Sequence, residues 1–349
     1  MQYSSLSRVK LVLVAVLLAF GADAAASDAQ IHRLLLATYW GEDKVALIDT
    51  QAESQKAELW AIDVLKSSAC SKPYDVRVDK RAGHAFVSCS GSDQIAVIDL
   101  PAQQVQYTIT TGPSPRDLQL FDDDKKLIVA NSGNDTVSVI DVAERKKIYD
   151  FPVSVQPYGV AVTDNGKVAL VTGWASGDLH IFSLGATSAT ERARIPVGLL
   201  PYTVVAPSGT HRAYVAVNGA DSVVAIDLLE GKSAGTIRVG GGPWSLALSP
   251  DERTILVTDN RSDSLSVLDT KELPAAGAAA PSFTAGLQEM PDGSGIERRP
   301  KNASISADGK LAAFTDLAND QIVVVDLPGG KIRRVINAGR APYGIEFVK

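Results

Sequence analysis

Most of what would point to metal, redox or nucleic-acid chemistry is scarce in this chain. Its 349 residues include 2 Cys, 4 His and 2 Met, too few soft ligands for a multi-metal centre or a disulfide-dense scaffold. His32, His84, His180 and His211 follow no ligand spacing, and neither a metal nor a cofactor is expected. Positive charge is not in excess: 34 Lys and Arg stand against 40 Asp and Glu, a net −6. That balance argues against a protein built to grip a phosphate backbone. The G-x-S-x-G, P-loop, C-x-x-C and H-E-x-x-H patterns are missing, so no catalytic motif is read. What remains is 45% hydrophobic and 21% charged, the composition of a chain that buries a sizeable core.

The N-terminus reads as an address rather than as fold. Arg8 and Lys10 precede the apolar run Leu11–Phe20, and Ala22-Asp23-Ala24 or Ala24-Ala25-Ala26 offers a small-residue exit. This run is about half the ~20 apolar residues needed to cross a bilayer. Residues 1–24 therefore read as a secretory signal peptide, and the mature chain is expected in the periplasm, or secreted, without a membrane anchor.

From residue 31 onward the chain repeats. Val45–Asp49, Ile95–Asp99, Val137–Asp141, Val223–Asp227, Leu265–Asp269 and Ile322–Asp326 end alike, and Leu179–Ser183 is a seventh copy with Ser in place of Asp. Six residues before each terminal Asp stands another: Asp43, Asp93, Asp135, Asp221, Asp263 and Asp320. Pro73, Pro115, Pro157, Pro201, Pro243, Pro300 and Pro342 each open a short alternating run, at spacings of 42, 42, 44, 42, 57 and 42. Short β-branched strands between Asp/Gly/Asn turns at this period indicate an all-β fold, a seven-bladed β-propeller with four antiparallel strands per blade. The mature chain opens at Leu34–Tyr39 with no Pro-led strand before it and ends on one, Pro342–Phe347. The C-terminal strand should therefore complete the N-terminal blade and close the ring across residues 31–349.

The strings Ile128-Val-Ala-Asn131, Val137-Ser-Val-Ile-Asp141 and Ser306-Ala-Asp-Gly309 resemble the YVTN-family β-propeller repeat of surface-layer-like and exported bacterial proteins. The resemblance covers essentially all of residues 31–349. It implies the propeller fold and leaves the function open, because that family includes binding proteins and enzyme subunits alike.

Candidate site residues are those that depart from the repeat. The paired Asp residues recur in every blade and are read as hydrogen-bonding their own hairpins, not as catalytic groups. Counting from each Pro, positions +3 and +5 are apolar and pack between blades, while +2 and +4 alternate to the channel side. These channel positions are polar in four consecutive blades: Asn302/Ser304, Glu346, Asp75/Arg77 and Asp117/Gln119. Two insertions, between Asp49 and Pro73 and across residues 270–299, feed the same sector, and loops longer than the architecture needs are often functional. Position +1 is aromatic in five blades, Tyr74, Tyr158, Tyr202, Trp244 and Tyr343, and cationic in two, Arg116 and Lys301. Such a mouth could stack a flat or sugar-like ligand or simply pack on its own loops. Cys70 and Cys89 bracket one hairpin and, after export, are expected to pair.

The reading is a non-catalytic binding or scaffold module for an envelope protein or small ligand, held at the Pro-led mouth by Asp75, Arg77, Arg116, Asp117, Gln119, Lys301, Asn302 and Glu346. The alternative is an enzyme or enzyme subunit, lactonase-like or belonging to a periplasmic dehydrogenase, with Glu346, Asp75, Asp117 and Arg77 as its only credible acid/base set. Haem handling is disfavoured by the shortage of His, and nucleic-acid binding by acidity.

Overall fold

The structure is a computed structural model in which residues 33–52, 57–163, 166–271, 283–286 and 297–348 are described. The signal-peptide reading of residues 1–24 lies outside them. The described chain forms seven four-stranded antiparallel sheets. In sequence order the innermost strands are Pro73–Val78, Pro115–Phe121, Pro157–Thr163, Pro201–Val205, Pro243–Leu248, Pro300–Ile305 and Pro342–Phe347, and we number the blades from these. Each innermost strand touches the next and the last returns to the first, so the sheets form a closed ring. The seventh blade is completed as expected: Pro342–Phe347 pairs antiparallel with Leu34–Tyr39, the first of the described strands.

Proline at the first position of every innermost strand is compatible with the ladder because pairing breaks just beyond it. In all seven sheets the register shifts between +0 and +3, as between Pro73 and Val76, where a missing N–H does least harm. The third strands read as continuous apolar runs because both faces are buried. In Gln94–Asp99, Ile95 and Val97 pack toward the second blade, while Ala96 and Ile98 pack toward the seventh. Outer strands face water on one side and alternate, as in Gln104–Thr110. The core is thus distributed as separate apolar clusters between neighbouring blades.

Polar staples reinforce the apolar seams. The terminal Asp residues do cap their own turns, as where Asp141 Oδ1 accepts from Glu144 N at 2.8 Å. The Asp residues six places earlier behave differently from expectation. Each takes a left-handed backbone, φ 49° to 58°, which turns the carboxylate out of its own hairpin. Asp93 Oδ1 accepts from Ser114 N at 2.9 Å, Asp135 Oδ1 from Gln156 N at 2.8 Å and Asp320 Oδ1 from Ala341 N at 2.7 Å. Each acceptor thereby holds the pre-proline residue of the next blade.

Near the end of the second strand a buried hydroxyl makes a similar bridge. Thr172 Oγ1 accepts from Gly159 N in its own blade and donates to the Tyr202 carbonyl in the next, both at 2.7 Å. Thr38 does the same between Gly344 N and the Tyr74 carbonyl.

A third recurring contact lies where the approach loop, three residues before each Pro, crosses the last residue of the second strand. In the first blade this is the Cys70–Cys89 disulfide, with Cα atoms 5.2 Å apart. In the second and fifth blades glycine sits below a larger side chain. A Cβ on Gly112 would stand 2.7 Å from Asn131, and one on Gly240 2.6 Å from Asp259. The third blade reverses the arrangement, with Ser154 over Gly173.

Of the two insertions, the first forms the outer strand Glu58–Asp63 and the short helix Val64–Ser68, capped by Asp63 Oδ1 on Lys66 N at 2.9 Å. Within residues 270–299, Phe283–Gly286 supplies the outer strand of the fifth blade. Arg298, fully buried, anchors the end of this insertion by an ion pair of 2.8 Å to the equally buried Asp316.

Candidate functional site

The innermost strand of each blade pairs on one side only, and its other edge faces the axis. Its N–H groups at +3 and +5 therefore need partners from the neighbouring blade. Most of the polar residues at +2 and +4 serve that need. Asp117 Oδ2 accepts from Val160 N at 3.0 Å, Gln119 Oε1 from Val162 N at 2.8 Å and Thr203 Oγ1 from Leu246 N at 3.0 Å. Ser245 Oγ accepts from Ala303 N at 3.5 Å, Ser304 Oγ from Phe347 N at 3.0 Å and Glu346 Oε2 from Val78 N at 3.2 Å. The polar sector is built first of all from inter-blade hydrogen bonds.

Asp75 makes no such bond. Its Oδ1 receives Arg77 Nη1 at 2.9 Å, and the second arm of Arg77 reaches Asp117 Oδ1 at 2.9 Å. Its Oδ2 is buried without a hydrogen-bond partner. Burial, opposed by Arg77 and reinforced by the Asp117 carboxylate, pushes the Asp75 carboxyl up to about 8, so much of it is neutral at physiological pH.

Asp75, Arg77, Asp117, Gln119, Asn302, Ser304 and Glu346 line one cavity of about 390 Å³ on the axis. Its floor includes Tyr74 and Tyr158, and its far rim includes Lys80, Asp124, Ser208 and Glu252, at the turns between innermost and second strands.

The Pro-led end of the axis is filled by the +1 aromatics. The hydroxyls of Tyr74, Tyr158 and Tyr343, from the first, third and seventh blades, hydrogen-bond to one another, with Tyr74 to Tyr343 at 2.6 Å and Tyr158 to Tyr343 at 3.1 Å. Tyr202 stacks on Trp244 at 3.8 Å and meets Tyr158 edge-on at 4.7 Å. The two cations that depart from the aromatic rule lie on these rings. Arg116 stands 4.5 Å from the Tyr74 centroid, and Lys301 Nζ stands 3.1 Å from that of Trp244. Burial pushes the Lys301 amine down to about 7.

The structure therefore separates two groups that the sequence placed at one mouth. The polar sector opens toward the opposite face, and the aromatics and their cations close the Pro-led end. Sequence reading missed the bridging hydroxyls, although Thr38, Ser88, Thr172, Thr258 and Thr315 recur one place before the end of the second strand. Around the closed mouth, on the same face, lie Trp40, Leu65, Val155 and Leu199, four of the five exposed large apolar side chains among the described residues. No helix among these residues is long and apolar enough to cross a membrane.

The propeller architecture defines the class of protein, and the comparisons go no further than that class. No family model matches the chain, and no curated protein matches it significantly. Among solved structures it is similar to a functionally unknown protein from Desulfotomaculum acetoxidans, at 14% identity over 90% of this chain and 98% of that one, TM-score 0.75. It is similar to Kuenenia stuttgartiensis hydrazine synthase, at 16% over 78% and 88%, TM-score 0.67. The Cps50 (Swd1) β-propeller domain of Myceliophteria thermophila is similar at 12% over 79% and 89%, TM-score 0.69. At these identities the likeness is one of fold.

Proposed function

We propose that this chain is an exported, periplasmic propeller of the YVTN type that binds a small hydroxyl-rich ligand, a sugar or polyol, in its channel without turning it over. The observation that carries this reading is Asp75, a residue lining a cavity large enough for a small molecule, whose buried carboxyl has one oxygen without a hydrogen-bond partner. A hydroxyl suits it in either protonation state, accepting from the neutral carboxyl or donating to the carboxylate. Asn302 and Arg77 on the same wall offer further contacts. The ligand would approach past Lys80 and Asp124, because the tyrosines close the other end.

The test is native mass spectrometry of protein purified from its own envelope, followed by calorimetric titration with a panel of sugars and polyols. A retained ligand, or a panel member whose affinity falls about tenfold or more in Asp75→Asn, supports the reading. A bare mass with no binding across the panel overturns it.

A second reading, docking of an envelope protein on the Pro-led face, is favoured by the exposed Trp40, Leu65, Val155 and Leu199 there. Crosslinking in intact cells checks it: loss of one partner band in Trp40→Asp and Leu199→Asp supports docking, and an unchanged pattern opposes it.

A further inference from the structure

The reversed pair in the third blade has a chemical consequence outside the channel. Ser154 Oγ is hydrogen-bonded to His180 Nε2, and His180 Nδ1 lies 2.6 Å from Glu191 Oε1. A hydroxyl, an imidazole and a carboxylate are thus in series, the order in which a nucleophile, its base and the group orienting that base are arranged. Ser176 Oγ, 2.8 Å from Ser154 Oγ, is a donor within reach of an oxygen bonded to the carbon that Ser154 would attack. The imidazole is fully buried while Ser154, in the loop before Pro157, is half-buried beside Val155, which is 52% exposed. The nucleophile is partly exposed and its base is not.

Burial pushes the His180 imidazole below its ordinary value, although Glu191 pulls the other way. Nε2 is therefore free to accept a proton at neutral pH.

Glycine at 173 is what makes room. A Cβ there would stand 2.7 Å from Ser154 Oγ and 3.4 Å from His180 Nε2. Related positions in other blades hold Asn131 with Ser138 and Asp150, or Asp259 with Ser264 and Ser266, and neither set contains an imidazole. The third blade alone combines a glycine under the loop, a hydroxyl over it and a histidine beside both.

We propose that Ser154, His180 and Glu191 form a serine-hydrolase site on the Pro-led face, acting on carboxylic esters whose small apolar acyl group lies against Val155. Ser154 Oγ adds to the ester carbonyl as its proton passes to His180 Nε2, and Ser176 Oγ donates to the resulting oxyanion. Collapse breaks the bond to the alcohol oxygen, which leaves with the proton from Nε2. Water then adds to the acyl-serine through the same base and returns Ser154 and the free acid. The net reaction is ester plus water to acid plus alcohol. Throughout, Glu191 keeps the proton on Nδ1 and is a positioning residue. This site is independent of the channel, so either reading can fail alone.

The full chain is treated with an alkyl fluorophosphonate and assayed with p-nitrophenyl acetate. The expected result is one adduct, on the peptide containing Ser154, and ester hydrolysis that falls by about 10²–10⁴-fold in His180→Gln. Ser154→Ala should abolish both while keeping a cooperative melt. In Glu191→Gln, kcat should fall with KM unchanged. A folded wild-type protein that takes no adduct, or a Ser154→Ala variant that hydrolyses the ester as fast as wild type, overturns the proposal and leaves the cluster a packing device.

Discussion

Where the approach loop passes over the end of a blade's second strand, the first blade sets Cys70 against Cys89 and the third sets Ser154 against Gly173. The backbone geometry at the two places is the same repeat element, and the space between loop and strand admits little more than one side chain. In the second and fifth blades that space goes to the strand residue, Asn131 or Asp259, and glycine holds the loop. The first blade shares it between two sulfurs and so ties its long approach segment covalently. In the third blade it goes to the loop, and the room left by Gly173 is taken by a hydroxyl and an imidazole. One recurring position can therefore be a packing contact, a crosslink or a candidate reactive centre, and only the residues placed there decide which.

The largest expected effect breaks the covalent side of this comparison. Cys89→Ser should cost about 2–4 kcal/mol in the chain-entropy picture of a crosslink. Denaturant melts in non-reducing buffer measure it, and an unchanged midpoint would mean that the disulfide constrains nothing.

Next comes the glycine side. Gly173→Val should cost about 1–3 kcal/mol by overpacking and expel the Ser154 hydroxyl from His180. Thermal melts read the first consequence and fluorophosphonate labelling the second. A variant that is destabilised yet labels normally would uncouple the glycine from the cluster.

A smaller effect concerns the channel. Gln119→Leu removes the acceptor for Val162 N and should cost about 1 kcal/mol or slightly more. If it costs nothing, the staples on the polar wall are ornamental and ligand contact becomes their main use.

The last prediction is a pH dependence, read as a difference between variant and wild type across a titration. Asp75 sits at about 8 in the fold against 3.8 ordinarily, so folding takes up a proton between those values. Its contribution to stability is full below pH 4 and is lost as pH rises to 8. Asp75→Asn does not titrate there, so its melting temperature should gain on wild type from pH 4 to 8. A constant difference would show that the carboxyl is charged throughout.

Much of the fold was legible because its signals are local. Pro-led strands at a spacing near 42 residues mark the blades, and apolar runs ending in Asp mark strands buried on both faces. The orphan strand at each end, Leu34–Tyr39 and Pro342–Phe347, announces the closure. The disulfide followed from two cysteines bracketing one hairpin. The site was legible only in part. Alternation along the innermost strands correctly put Asp75, Arg77, Asp117 and Glu346 on one wall, but it says nothing about which backbone N–H each oxygen meets, since those partners belong to the next blade. His180 looked like a lone histidine because Ser154 and Glu191 approach it from a loop and an outer strand, at no fixed spacing.

The sequence by itself determined the number of blades, the order of strands and the way the ring is latched, since each follows from periodicity within a few residues. Tertiary structure alone decided that Tyr74, Tyr158 and Tyr343 meet at the axis and that the polar cavity opens on the other face. Those three rings stand as much as 269 positions apart in the chain. Their meeting depends on the curvature accumulated over the whole ring and on the volume left at its centre, and no local pattern of residues encodes either.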